Sequence, residues 1–502
     1  MKQCLLLSGI LVVLFSCNND SPVRGSYQNR TFWAQDFGTN PASDFYQVNA
    51  ELLATGTYCR VYADKNLIID PETAAGIADT YDNDIYWKIT DVFSKKNFQI
   101  SSALAGKKDF TNIMELANWL ANGARADGKL TILLLDIRDD YNGGGGFVGG
   151  YFWAGNFFSN VTYSNRCDMI YIDAYPSKPG SLESNTTLAH EMQHLINFIT
   201  SYFFREVGKE TYFMDTWIDE GLSESSGWIY SGKHPDDRWR WFNEETEAFS
   251  GYKGLIGEGN NFFVWGNRED ENPDANLDDY ATVYLFFQWL RLQSGSTAIF
   301  TDIISSPPLD YDYKALTDAA AGIDPGFNDW GTLLKTWMAA NYINAGGTSI
   351  LGYRDDPILG QVKAKTTSKT GTSISLYQGE GVYSIINAIV NPTPTGSIEY
   401  AGLTTTLSDS GPFTSGALLT YNTATDKTKD EYGIDIGTTE TGDITGVSSS
   451  KGIIPANQPR LASRPLRPYS ISAGDMLRRN RHKGERFSLD LSALRNEYAT
   501  DD

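Results

Sequence analysis

The chain has 502 residues, enough for two or three domains, and its 41% hydrophobic and 13% aromatic content allows large packed cores. A formal charge of −21 argues against nucleic acid as a partner, because a polyanion would be repelled. The same charge suits a secreted or periplasmic protein that stays in solution.

The chain opens Met1-Lys2-Gln3, followed by an apolar run from Cys4 to Phe15. One early lysine and about a dozen apolar residues read as a secretory signal, too short for a membrane span. Leu14-Phe15-Ser16-Cys17 resembles a bacterial lipobox. On that resemblance residues 1–16 are a lipoprotein signal peptide, Cys17 is the lipidated first residue, and 17–30 form a tether. Several acyl chains at Cys17 would anchor the protein to a membrane. Asn18 after the cysteine, rather than aspartate, favours the outer membrane or cell surface of a bacterial envelope. The alternative is an ordinary cleavable signal with an incidental cysteine.

Residues 31–180 alternate strand-like and helix-like segments. Tyr58 to Tyr62 reads as a strand, and Pro71 to Phe93 has helical spacing. Leu130 to Ile137 is a strongly apolar strand, central in a sheet. The run Asn142 to Gly146 lacks a Gly-Lys-Ser/Thr ending, so it reads as a flap or linker and not as a phosphate cradle. Asp168 to Asp173 is a further strand, after which Ser184, Asn185 or Thr186 can cap a helix. Cys59 and Cys167 either pair in an oxidising compartment or stand as two buried thiols.

Residues 181–345 are mainly helical, with a helix from Tyr280 to Gln293 capped by Asp278-Asp279 and another from Phe327 to Asn341. Residues 350–450 turn rich in Thr, Ser and Gly with short alternating runs such as Ser373 to Tyr377, which suggests a small β-sandwich-like domain. Residues 451–502 hold ten Lys or Arg and six Asp or Glu, so this tail carries +4 and the rest −25. Its low hydrophobicity, prolines and Arg478-Arg479-Asn480-Arg481 cluster read as a basic, disordered tail.

The chemistry concentrates in Thr186 to Phe198, where His190-Glu191-Met192-Gln193-His194 lies inside an apolar run of helical spacing. Residues four apart share a helix face, so two imidazoles can hold one zinc ion with the glutamate beside a metal-bound water. A third ligand is needed, and Trp217-Ile218-Asp219-Glu220-Gly221-Leu222-Ser223-Glu224 follows. Glu220 lies 26 residues past His194, room for a loop and the start of a second helix. Glu224, one turn on, is placed to accept the Nδ1–H of a ligand histidine. Metzincin spacing is absent: the next histidine, His234, is too distant and reads as a loop residue, with transition-state donation as its alternative.

Together these two segments resemble the hyicolysin family of gluzincin metallopeptidases. Gly149-Gly150-Tyr151-Phe152, Ser164-Asn165, Tyr171-Ile172-Asp173 and Tyr280 to Phe286 add to the resemblance, which spans roughly residues 55 to 345. It implies an α+β domain over 31–345 with a mixed sheet and an active-site helix, and one catalytic zinc held by His190, His194 and Glu220. It also implies endopeptidase activity with Glu191 as general base. Tyr280, or failing it Tyr284, is the expected donor to the oxyanion. By analogy with thermolysin-like enzymes, the strand Asp168–Asp173 is expected to pair with the extended substrate backbone. The expected partners are protein or peptide substrates, with the enzyme a monomer. Asp274-x-Asn276-x-Asp278 departs from an EF-hand loop and leaves only an irregular calcium site as an option. The rival readings are a surface lipoprotein using the peptidase fold as a scaffold, and a zinc exopeptidase.

Overall fold

The structure, a computed structural model, describes residues 29–448 and 469–471, except 39–42, 95–109, 144–146, 205, 208–209, 212, 247, 250–253, 260–261, 266–275, 307–311, 369–371, 430–434 and 446. The signal, residues 17–28 of the expected tether with Cys17, Asp274 and the Arg478–Arg481 cluster lie outside the described residues, whereas residues 29 and 30 already belong to a strand.

Seven strands build the main sheet. β1 (Asn29–Gln35), β2 (Phe45–Thr55) and β3 (Cys59–Asp64) form an antiparallel meander. β3 then pairs in parallel with β4 (Leu130–Leu135), and β4 with β6 (Met169–Asp173). β5 (Val148–Phe152) returns antiparallel beside β6, and a short tail strand, Tyr469–Ile471, lies parallel to β5 at the edge. The apolar run of β4 is buried along its whole length because both sheet faces are covered. Successive side chains point to opposite faces. Leu130, Ile132 and Leu134 therefore enter the large helical core, while Leu133 and Leu135 enter a smaller core with Phe32, Val48, Tyr151 and Tyr171.

Asp70 caps α1 (Pro71–Thr80) by accepting the Glu72 N–H. A π-turn over Tyr81–Ile85 joins it to α2 (Tyr86–Phe93), so the single predicted helix is two with a widened turn between them. α3 (Ile113–Asn122) completes the layer over the sheet. The long α4 (Leu182–Phe204) crosses beneath β5 and β6 and packs against α5 (Thr216–Ser231). Then follow α6 (Asp236–Phe242), α7 (Asn276–Ser294), α8 (Ala298–Ile304), α9 (Tyr313–Ala320) and α10 (Trp330–Ile343).

Four expectations need correction. β6 is interior, flanked by β4 and β5, so it has no free edge for a substrate; outside it lies β5, itself paired with the tail strand. Ser184, Asn185 and Thr186 sit inside α4; the hydroxyl that caps it is Ser181, which accepts the Ser184 N–H at 3.2 Å. Asp278 and Asp279 likewise fall within the first turn of α7, and the Asp278 carboxylate accepts from Trp241 Nε1 and the Leu255 N–H. The tail is not wholly without structure, because Tyr469–Ile471 pairs with β5.

The strands between 373 and 448 form a five-stranded sheet (Leu407–Ser408, Ile398–Leu403, Ala417–Asn422, Gly381–Ile386, Val447–Ser448) and two pairs, Ser373–Tyr377 with Thr439–Asp443 and Thr428–Lys429 with Asp435–Ile436. One face of this sheet is shared with the helical core: Tyr383, Leu403, Leu419 and Tyr421 join it beside α10. Its other face closes a small core of its own around Leu376, Ile398, Tyr400 and Leu418. Cys59 and Cys167 are both free and buried, and belong to the two opposite cores of the main sheet.

Candidate metal centre

Helix periodicity brings His190 and His194 onto one face of α4, and the first turns of α5 deliver Glu220 to the same point. The two Nε2 atoms lie 3.0 Å apart, and Glu220 Oε2 lies 3.4 Å from His190 Nε2 and 3.6 Å from His194 Nε2. Donors around a tetrahedral zinc ion are roughly 3.3 Å apart, so these separations bracket what a tetrahedral divalent metal needs. Glu220 is fully buried and its carboxylate oxygens receive no hydrogen bond among the described residues. A buried carboxylate in that condition calls for a cation. Burial opposes its ionisation, but the imidazoles of His194 and His190 outweigh that and hold its carboxyl down at about 2.

The close approach of α5 to its neighbours depends on glycine. A Cβ on Gly221, next to Glu220, would run into the Phe287 ring of α7, and one on Gly227 would come within 2.9 Å of Thr186 Cγ2. This is the physical reason for the Glu-Gly pair in the third-ligand segment.

The second layer of contacts differs from expectation. Glu224 faces His190 Nδ1 at 3.7 Å, beyond hydrogen-bond reach, because Arg238 takes its carboxylate through Nε at 2.9 Å and Nη2 at 2.8 Å. Arg238 also donates to Asp237 at 3.0 Å, making a buried cluster of one cation and two carboxylates. The residue that holds a ligand ring is Asp219, whose Oδ2 lies 3.0 Å from His194 Nδ1. Ser223 Oγ stands 3.0 Å from the same nitrogen, and Asn197 clamps Asp219 Oδ1 at 2.6 Å. Burial disfavours a charged His194, yet Asp219 and Glu220 prevail and raise its pKa well above the ordinary value. Sequence reasoning passed over Asp219. The available signal was its spacing of four from Ser223, which puts both on one helix face.

The structure places Tyr280 away from the ligand atoms of the centre. It is fully buried, with its ring against Trp265 and beneath the Arg238 guanidinium at 5.3 Å, and it does not line the cleft beside the centre. Tyr284 is also fully buried; its hydroxyl bonds His234 Nδ1 at 2.6 Å, while His234 Nε2 meets Asp356 at 3.1 Å. Both ring nitrogens of His234 are thus engaged. Burial opposes ionisation of Asp356, but the His234 contact overrides it and lowers the carboxyl to about 2. That cleft, about 500 Å³, is lined by His190 and Thr187 of α4, Glu224 and Trp228 of α5, and His234 and Asp236 beyond it. Glu191 is fully buried on α4.

An α+β fold with two histidines and a glutamate converging from two packed helices, and a further glutamate between the histidines, defines a candidate metal-hydrolase centre. No known family profile matches the chain. It is similar to the neutral metalloprotease ShpI of Staphylococcus hyicus, with 34% identity over 189 residues. The match covers 36% of this chain and 39% of that protein, so it spans about two fifths of the relative's length.

Proposed function

We propose that the protein is a zinc-dependent endopeptidase acting on protein or peptide substrates. The convergence of His190, His194 and Glu220 carries this reading, with Glu191 intact between the two histidines. A neutral metalloprotease among its relatives supports it. His190 Nε2, His194 Nε2 and one Glu220 oxygen would hold the ion. A zinc ion held there would supply Lewis acidity, easing loss of a proton from water and polarising the scissile carbonyl. Glu191 takes the proton of the attacking water and returns it to the leaving amine. Asp219 keeps the His194 ring turned so that Nε2 faces the centre. Glu224 serves the site through Arg238, and the Tyr284–His234–Asp356 chain forms part of the cleft wall. The side of β5 that suits a substrate backbone is the outer one, where the tail strand now lies. The lipobox-like sequence supports a lipid anchor at Cys17, which would place the enzyme at the cell envelope.

The test is casein hydrolysis by the parent chain and by Glu191→Gln, with bound zinc quantified in both. Hydrolysis by the parent alone, with one zinc retained in each, is the expected result. Absence of zinc from both chains would sink the proposal.

A further inference from the structure

We propose that the tail segment Tyr469–Ile471 is an intramolecular plug, which occupies the strand position where substrate backbone would be held and so keeps the enzyme in a closed state. The inference rests on the peptidase reading above. Its starting point is the position of β5. A Cβ on Gly150 in the middle of β5 would come within 2.8 Å of Thr187 Cγ2 on α4. Thr187 lines the cleft, and it is one helical turn before Glu191 on the same face. The β5 backbone therefore runs along the side of α4 that carries the general base. One edge of β5 is bonded to β6. On the other edge, where main-chain donors and acceptors would add an extended peptide, lies the tail: Tyr469 opposite Val148, Ser470 opposite Gly150 and Ile471 opposite Tyr151. The tail strand also touches α4.

One further observation fits a plug. Residues 451–502 carry +4 against −25 for the remainder, and that opposite charge favours keeping the tail on the body. The plug is built to yield. It has three paired residues, the pairing is parallel, and its register breaks between Tyr469 and Ser470. Parallel pairs are slightly weaker per residue than antiparallel ones, so a longer unfolded substrate can outcompete it.

The test uses the full chain with Ser470→Pro and, separately, Ile471→Pro. Alternate residues of a strand turn their N–H to the same side, so one of the two variants removes a donor to β5. Amide exchange across 148–152 is expected to quicken in that variant, because the pairing that protects it is lost. The KM for casein should fall about tenfold with kcat unchanged, as when a binding-competent state goes from about a tenth of molecules to most of them. A synthetic peptide of residues 465–475 should restore the parental KM. Unchanged exchange in both variants, or faster exchange with unchanged KM, would overturn the plug. Casein binding in a Glu191→Gln background needs no turnover and separates the two readings. Tighter binding with proline at 470 or 471 upholds the plug even if hydrolysis fails, and equal binding rejects it.

Discussion

At the residue scale, the centre is held by groups that touch the ligands and not the ion. Asp219 fixes the His194 ring and is itself fixed by Asn197. Asp219→Asn should keep the fold and weaken zinc binding about 10–100-fold, the usual cost of losing such a partner. Competition with a chelating dye measures this, and parental affinity would refute the role. A buried carboxylate outside the metal-ligand group adds a pH dependence. Asp168, at the start of β6, is raised by burial from 3.8 to about 7, although the Asn118 and Asn122 amides pull the other way. The native state therefore keeps a proton that the unfolded chain has released above pH about 4. Its contribution to stability is full below that pH and is lost as pH rises through 7. Relative to Asp168→Asn, the parent should lose up to about 4 kcal/mol across that window. Urea denaturation of both proteins at each end of the window checks it, and a stability gap that does not change with pH would refute it.

The element scale separates what the sequence could show from what it could not. α4 was legible because an apolar 3.6-residue period put His190 and His194 on one side, and Glu220 because it opens the following helical segment. β4 was legible as an unbroken apolar run that only a strand covered on both faces explains. The neighbours of β6 were not legible: the order β4-β6-β5 is non-sequential, and periodicity reports faces, not edges. His234 and Asp356 are 122 residues apart, so their contact belongs to the tertiary fold alone. The surroundings of Tyr280 were not legible, because its place at the head of a helix says nothing of which side the helix presents. The tail strand is three residues in a hydrophilic stretch, too short for any period to emerge. Helix packing also yields a prediction. Gly221→Ala drives a methyl into the Phe287 ring and pushes Glu220 out of register with the histidines. It should cost roughly 1–3 kcal/mol, the range for overpacking, and lower zinc occupancy. Thermal unfolding with metal analysis reads both, and full occupancy at parental stability would contradict it.

At the scale of the whole molecule, three units share one core. The main sheet, the helices and one face of the C-terminal sheet are joined through Leu134, Trp217, Trp337 and Leu419. The boundary near 345–350 marks a change in residue composition but not a break in packing. Among the described residues no helix is long and apolar enough to cross a membrane.

Lys427, in the loop after Ala417–Asn422, reaches back to pair with Asp215 Oδ1 at 2.6 Å, at the N-terminus of α5. Five residues further along that helix stands Glu220. The far sheet thus has a hand on the rotation of the helix that supplies the third ligand, and a metal bridging α4 and α5 would feel any loosening there. Chelator resistance would then serve as a remote strain gauge for the seating of the C-terminal sheet.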